Sequence, residues 1–235
     1  MESYDDRLAS FCASRLKISS GSARVLDCGC GAGDVALRLA RMGCFVLGLD
    51  LSLPLLLHCK RSCCSVSKYC DFVRADMRRP LACESFDMVL CLGVSFGYYS
   101  DEDNQEILSQ MALALKPGGV LIIESDNPLN SSEELVEDTV ELPGLGLLIM
   151  SRRFNRSQGA YEGNFHLKSP DGLELHLEKS DDSCWEERIR IYDPDEFERM
   201  LGTSGLKLQR IWGDSKLPLE SYSKDSRRLV IEAVK

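Results

Sequence analysis

Three aspartates, Asp27, Asp50 and Asp76, each stand at or just beyond the end of a short apolar run. The first opens a glycine-rich stretch, VLDCGCGAG at 25–33, in which Gly29, Gly31 and Gly33 alternate with Cys30 and an alanine. Glycines at this spacing let the chain turn sharply and let a ligand approach the backbone, because no Cβ stands in the way. The amides at the start of the helix that follows then face that ligand. The spacing is G-x-G-x-G, one residue short of the G-x-G-x-x-G turn that holds a dinucleotide pyrophosphate. A carboxylate at Asp50 can accept hydrogen bonds from both hydroxyls of a ribose, and one at Asp76 can accept from an exocyclic amine of the kind adenine presents. Asp27 suits a cationic or donor group, such as an amino-acid tail bearing a sulfonium, and is unhelpful to a pyrophosphate.

The elements that must position these residues alternate along the first half of the chain. The pattern predicts a short amphipathic helix over 5–17, with Leu8, Phe11, Cys12 and Leu16 on one face, then a strand over 24–28 and a helix over 34–42 that stops at Gly43. A second strand over 44–49 leads to a helix beginning at Ser52, with Pro54 tolerated in its first turn. Strands follow over 71–74 and 86–92, a helix over 102–115, a KPGG turn at 116–119 and a strand over 120–123. Strands without polar alternation, separated by helices, predict a parallel sheet covered on both faces. The acidic segment 130–141 reads as loop or helix. Strand-forming segments at 147–154, 161–168, 173–178 and 185–191, separated by turn signals, read as an antiparallel meander. A helix over 195–201 and strands over 206–212 and 228–234 close the chain. The expected fold class is therefore α/β, a doubly wound and mostly parallel sheet with an antiparallel β insertion. Residues 1–128 and 193–235 are expected to form the ligand-binding domain, and 129–192 the insertion.

At 235 residues with 44% apolar and 28% charged content, the chain can bury a sizeable core. A net charge of −9 argues against a phosphate-backbone partner, since nucleic-acid binders usually carry a basic face. The pairs Arg78-Arg79, Arg152-Arg153 and Arg227-Arg228 read as solvated surface charge. Eleven cysteines at irregular spacing, behind an acidic N-terminus without an apolar core, suit reduced thiols in a cytoplasmic protein. Cys59, Cys63, Cys64 and Cys70 crowd together beside His58, but no C-x-x-C pair occurs, so small packed side chains are expected and no metal.

With these pieces assembled, the chain resembles the class I S-adenosylmethionine-dependent methyltransferases. The matching segments are 25–33, GLDLS at 48–52, RADM at 74–77, FDMVL at 86–90 and LKPGGVLII at 115–123. The resemblance implies a seven-stranded Rossmann-like sheet whose last strand, here 228–234, enters antiparallel. It implies S-adenosylmethionine as methyl donor. Asp27, Gly29, Cys30, Gly31 and Gly33 would line its methionine end, and Asp50 would hold the ribose with Leu51 packed on the adenine. Asp76 and the backbone of Met77 would read the adenine edge, while Cys91 and Leu92 would pass beneath the sulfonium.

The acceptor side is less explicit, because methyl transfer needs alignment and removal of a proton rather than a fixed triad. The segment GVSFGYY at 93–99 lacks the Asn/Asp-Pro-Pro-Tyr sequence of enzymes that methylate DNA bases or glutamine. SFGY at 95–98, RIYDPD at 190–195 and the stretch from Tyr222 to Leu229 resemble a bacterial and archaeal group of small-molecule methyltransferases, in which the insertion roofs the acceptor pocket. On that basis Ser95, Phe96, Tyr98, Asn127 and Arg190 are candidate acceptor contacts, and Tyr98, His166 and Tyr192 are candidates for a catalytic role, with His176 a further candidate base. Each also has a plainer reading as packing or surface. The expected reaction is methylation of a nitrogen or oxygen on a small molecule, nitrogen slightly favoured. An RNA-modifying methyltransferase, a non-catalytic S-adenosylmethionine-binding regulator and a nicotinamide oxidoreductase are the alternatives. No nucleic-acid or membrane partner is expected.

Overall fold

The inner strands of one seven-stranded sheet gather because their apolar runs can be buried on both faces, while the edge strands keep residues exposed. The computed structural model describes residues 3–16, 23–79, 83–169, 184–214 and 220–235. Helix α1 (Tyr4–Arg15) precedes β1 (Arg24–Cys28), and α2 (Asp34–Arg41), β2 (Phe45–Asp50), α3 (Leu53–Ser62) and β3 (Cys70–Arg74) follow. Next come β4 (Phe86–Cys91), α4 (Asp101–Ala114) and β5 (Leu115–Asp126). After the insertion described below, α5 (Pro194–Thr203), β10 (Lys207–Trp212) and β11 (Arg228–Val234) complete this layer. The sheet order is β10-β11-β5-β4-β1-β2-β3. Strands β1 to β5 pair in parallel, and β11 runs antiparallel to both β5 and β10. Strand order reverses between β1 and β4, the crevice where doubly wound sheets bind ligands.

One face of the sheet packs on α1, α2 and α3 through Phe11, Leu39, Phe72 and Met88. The other packs on α4 and α5 through Leu26, Ile107, Leu108 and Phe197. The helix starts agree with the local chemistry. Ser3 and Asp6 form a capping box on α1, and Asp193 and Glu196 form another on α5, with Pro194 in its first turn. Ser100 caps α4 by accepting from the Asp103 amide. Helix α2 instead starts from Gly33 in the left-handed region, with no side-chain cap, so its first amides are left for other partners.

The insertion is a four-stranded antiparallel sheet in the order β6 (Val136–Leu142), β7 (Gly146–Asn155), β8 (Ala160–Lys168) and β9 (Cys184–Arg190). The expectation of loop or helix for 130–141 is corrected here. Val136, Asp138, Val140 and Leu142 alternate with acidic and polar neighbours along an edge strand, and nearly every residue of it is exposed. Acids that face water on an edge carry no apolar signal, although they guard an edge well. The expected strand at 173–178 and His176 lie outside the described residues.

This second sheet is tied to the first at both ends. Where the chain leaves β5, the buried Asn127 donates to the carbonyls of Ser223, Lys224 and Ser226 and accepts from Tyr222 and the Leu129 amide. Where it returns, the Arg190 guanidinium donates to the carbonyls of Gly159 and Ile191, pairs with Glu196 and Asp101, and lies over the Tyr192 ring. No helix among the described residues is long and apolar enough to cross a membrane.

Candidate functional site

Two cavities meet at the carboxyl ends of the strands on either side of the reversal. One, of about 250 Å³, is lined by Asp27, Gly29, Cys30, Gly31 and Leu92, with Tyr4 and Asp5 of α1 across from them. The other, of about 310 Å³, is lined by Gly29, Asp50, Leu51, Ala75, Met77, Tyr98 and Tyr99. Gly29 and Ser95 belong to both, so the two spaces form one trough. Gly29 sits at φ +72°, and a Cβ there would stand 2.8 Å from the Ser95 Cβ. A side chain is therefore excluded at this junction by both conformation and space.

The carboxylate of Asp50 accepts from the Gly31 amide at 2.9 Å and from the Ser52 amide at 2.8 Å. It holds the glycine loop in place while two of its roughly four acceptor sites remain for a ligand. Asp27, 3% exposed at the end of β1, has its pKa raised to about 7, chiefly by burial and further by the charge of Asp50. A half-protonated buried acid next to an open cavity suits a cationic ligand group, which would fix it in the ionised form. Leu51, Ala75 and Met77 supply an apolar shelf beside Asp50. An adenosine with a cationic amino-acid tail fits this set: diol acceptor, flat apolar shelf and buried acid in that order.

Other expected cofactor contacts are used differently. Gly33 caps α2, and Cys91 lies fully buried within the sheet. Asp76 is gripped by Arg78, whose Nη2 is 2.7 Å from Oδ2 and whose Nε is 3.1 Å from each oxygen. That hydrogen bonding holds the Asp76 pKa below the usual carboxylate range. Arg78 also reaches Asp103 and stacks over Tyr99, so the pair shapes the wall rather than standing open in the trough. The buried thiol of Cys28 and the half-buried thiol of Cys30 are pushed well up by desolvation and stay protonated. Among the described residues no group of three or more His, Cys, Asp or Glu side chains is gathered as metal ligands, and the ten cysteines whose side chains are described are free.

Three residues at or beside the trough were not anticipated from sequence. Glu124, at the end of β5, accepts from the Gly93 amide and from the Tyr4 hydroxyl, so α1 is fastened across the methionine-side cavity. Its partner lies 120 residues away, a separation no local pattern can reveal. Gly93 and Val94 both have positive φ, at 64° and 61°, and for a β-branched residue this is strained by about 1–3 kcal/mol. The strained turn is held by Glu124 below and by Phe154 and Ile189 packing on Val94 above.

Of the expected acceptor contacts, Ser95 and Tyr98 reach the trough. Ser95 donates to the Leu92 carbonyl and lines both cavities. Tyr98 is 48% exposed on the rim, its hydroxyl hydrogen-bonded to Glu187 of β9, and burial with that contact raises its pKa to about 12. It is thus a poor base at neutral pH. Gly97 makes this arrangement possible: the Arg190 amide donates to its carbonyl at 2.8 Å, and a Cβ on it would sit 2.1 Å from the Arg190 oxygen.

The remaining candidates are not brought to the trough. Phe96 is buried against Tyr192 and Phe197. Tyr192 is 3% exposed, donates to Asp101 and accepts from Asn104, and burial pushes its pKa up. Asn127 and Arg190 are the two ties described above. His166 shares a face of β8 with Glu162, which pairs with the exposed Arg153, and this is opposite the face where Tyr161 packs beside Val94.

Comparison with known proteins agrees with this geometry. A family model described as a methyltransferase domain matches residues 25–119. The glycine/sarcosine N-methyltransferase of Aphanothece halophytica is 33% identical over 110 residues, which are 46% of this chain and 42% of that one. The match thus spans less than half the length of that relative. The CcbJ methyltransferase from Streptomyces caelestis superposes with a TM-score of 0.80 at 20% identity, over 99% of this chain and 90% of that one. An amino pentose methyltransferase from Micromonospora echinaspora, solved with S-adenosylmethionine bound, does so with a TM-score of 0.69 at 20% identity, over 99% and 91%. At such identities the likeness to solved structures is one of fold.

Proposed function

We infer, from a chain that belongs to the class I S-adenosylmethionine-dependent methyltransferases, an enzyme that methylates a nitrogen of a small molecule. The observation that carries this reading is the continuous trough through Gly29 and Ser95, whose donor-side residues lead directly to a rim under the four-stranded roof. In it Asp27 and the uncapped first amides of α2 hold the amino-acid end of the donor, Asp50 holds the ribose, and Leu51, Ala75 and Met77 pack on the base. S-adenosylmethionine bound there would supply a methyl group activated by its sulfonium, with S-adenosylhomocysteine as the leaving group. The protein's own part is alignment and exclusion of water. Tyr4, fastened to Glu124, closes the donor side, while Ser95 and Tyr98 border the approach of the acceptor. An amine that loses its proton to water at the open rim before attack needs no strong base, which is consistent with a rim where Tyr98 holds its proton.

Isothermal calorimetry with S-adenosylhomocysteine and NAD, followed by a screen of amines, phenols and carboxylic acids for S-adenosylhomocysteine production, tests the reading. Micromolar S-adenosylhomocysteine binding and turnover with an amine are expected. NAD binding without S-adenosylhomocysteine binding, or turnover confined to RNA, would overturn it.

A further inference from the structure

The underside of the roof carries a group of residues that the methyl-transfer reading leaves unassigned. Alternation along β9 puts Trp185, Glu187 and Ile189 on one face. Ile189 is buried beside Phe154 and the Val94 turn, so this is the face turned toward the trough. Glu187 is the residue that Tyr98 reaches from the rim. Directly opposite Glu187 in the register lies Gly163, and a Cβ there would meet nothing nearer than 3.5 Å. The carboxylate therefore has room on one side. On its other side Trp185 pairs across the strands with Phe165, the two rings stacked at 5.7 Å and 2°. Trp185 keeps 39% of its surface exposed. The nearest cation on this face is Arg152 of β7, across Gly163, which lies over the Tyr161 ring; Arg188 points to the other face.

We propose that Glu187 and the Phe165–Trp185 stack select the methyl acceptor: an amine that arrives as its ammonium ion and carries an apolar ring. The reasoning rests on the methyltransferase reading and names the substrate class of that same site. A phenol donates one hydrogen bond to a carboxylate without neutralising it, so Glu187 keeps a field that attracts a cation over the rim. An ammonium placed there loses a proton to water before attack, and the free amine lies beside Ser95 and Tyr98. A ring attached to it meets the stacked aromatic shelf, where stacking adds to area burial. A neutral alcohol of the same shape gains the shelf but not the charge, and a small amine gains the charge but not the shelf.

The test uses the protein saturated with S-adenosylhomocysteine, titrated with 2-phenylethylamine, 2-phenylethanol and ethylamine as probes. Wild-type protein should bind 2-phenylethylamine at least about tenfold more tightly than either of the others, the discrimination expected when a buried-edge charge and an aromatic contact are each lost. Glu187→Gln should bring amine and alcohol within about twofold while leaving S-adenosylhomocysteine affinity unchanged. Trp185→Ala should instead erase the advantage over ethylamine and keep the preference over the alcohol. Tyr98→Phe, which frees the carboxylate without removing it, should retain the amine preference and serves as the second probe if Glu187→Gln does not fold. Equal binding of amine and alcohol by wild-type protein, no saturable amine binding, or an amine preference that survives Glu187→Gln would overturn the assignment. If S-adenosylhomocysteine binds while any of these occurs, the acceptor assignment alone falls. If it does not bind, the methyltransferase reading falls with it.

Discussion

Lowering the pH from 8 to 5 should loosen S-adenosylhomocysteine through one group, Asp27. In the free protein this carboxyl is 3% exposed and its pKa is raised from 3.8 to about 7 by burial and by Asp50. The other titratable groups that feel its charge are the thiols of Cys12, Cys28, Cys30, Cys59, Cys70 and Cys91, all pushed up and uncharged over this range. A rise of about 3 units corresponds to about 4 kcal/mol between the protonated and ionised forms. Because the folded value lies above the unfolded one, this stability is present below about pH 4 and is lost as the pH climbs through 7. The ligand's ammonium reverses the preference, since it pairs only with the ionised acid. Binding then competes with protonation, and the Kd should rise roughly 90-fold between pH 8 and pH 5, with proton release on binding near pH 6. Asp27→Asn should flatten that dependence and raise the melting temperature of the ligand-free protein at pH 8. Calorimetry in buffers of different ionisation enthalpy measures both the Kd and the proton count. A wild-type Kd that changes less than about threefold over this range, or a slope that persists in Asp27→Asn, would refute the reasoning.

Other expectations follow from the same geometry. Asp50→Ala should abolish detectable S-adenosylhomocysteine binding in calorimetry, because it removes the ribose acceptor and frees the Gly31 and Ser52 amides that the carboxylate holds. Gly29→Ala, with φ +72° and a Cβ 2.8 Å from that of Ser95, should cost about 1–3 kcal/mol in denaturant titration and weaken the ligand as well. Arg190→Met leaves Glu196 and Asp101 without their cation and should destabilise the protein by about 3 kcal/mol, with faster amide exchange along β9. His166→Ala, by contrast, should leave methyl transfer unchanged in the S-adenosylhomocysteine production assay, since the residue lies on the outer face of the roof.

The donor half was legible in the sequence because its signals are local. A glycine turn, an acid closing each apolar strand and a KPGG turn all depend on backbone geometry within a few residues. The predicted strands at 24–28 and 228–234 coincide with β1 and β11, and those at 147–154, 161–168 and 185–191 overlie β7, β8 and β9, whereas β6 stands where loop or helix was expected. The acceptor half was misread for the opposite reason. Phe96, Asn127, Arg190 and Tyr192 stand near strand ends and carry chemistry, yet Asn127 and Arg190 are spent on joining the two sheets and Phe96 and Tyr192 on packing against α4 and α5. Conversely, Glu187 is one acid among several in 184–190, and only the register of β9 against β8 separates it from Glu186, which faces the other way. By sequence Glu124 is only the polar residue that follows the apolar run 120–123. Its role depends on Tyr4, brought near by the packing of α1 on α2, which includes the Arg38–Asp6 pair at 2.5 Å.

The two ties of the roof have an evolutionary consequence. Asn127 anchors the departing chain to the loop before β11, and Arg190 anchors its return to α4 and α5. Between those anchors the four strands hydrogen-bond mainly to one another. Mutations on the exposed part of their underside, around Trp185 and Glu187, can therefore accumulate with little strain passed to the donor trough, whereas Phe154 and Ile189 remain bound to the Val94 turn. Such a layout lets one half of the molecule drift toward new acceptors while the other half keeps a constant co-substrate.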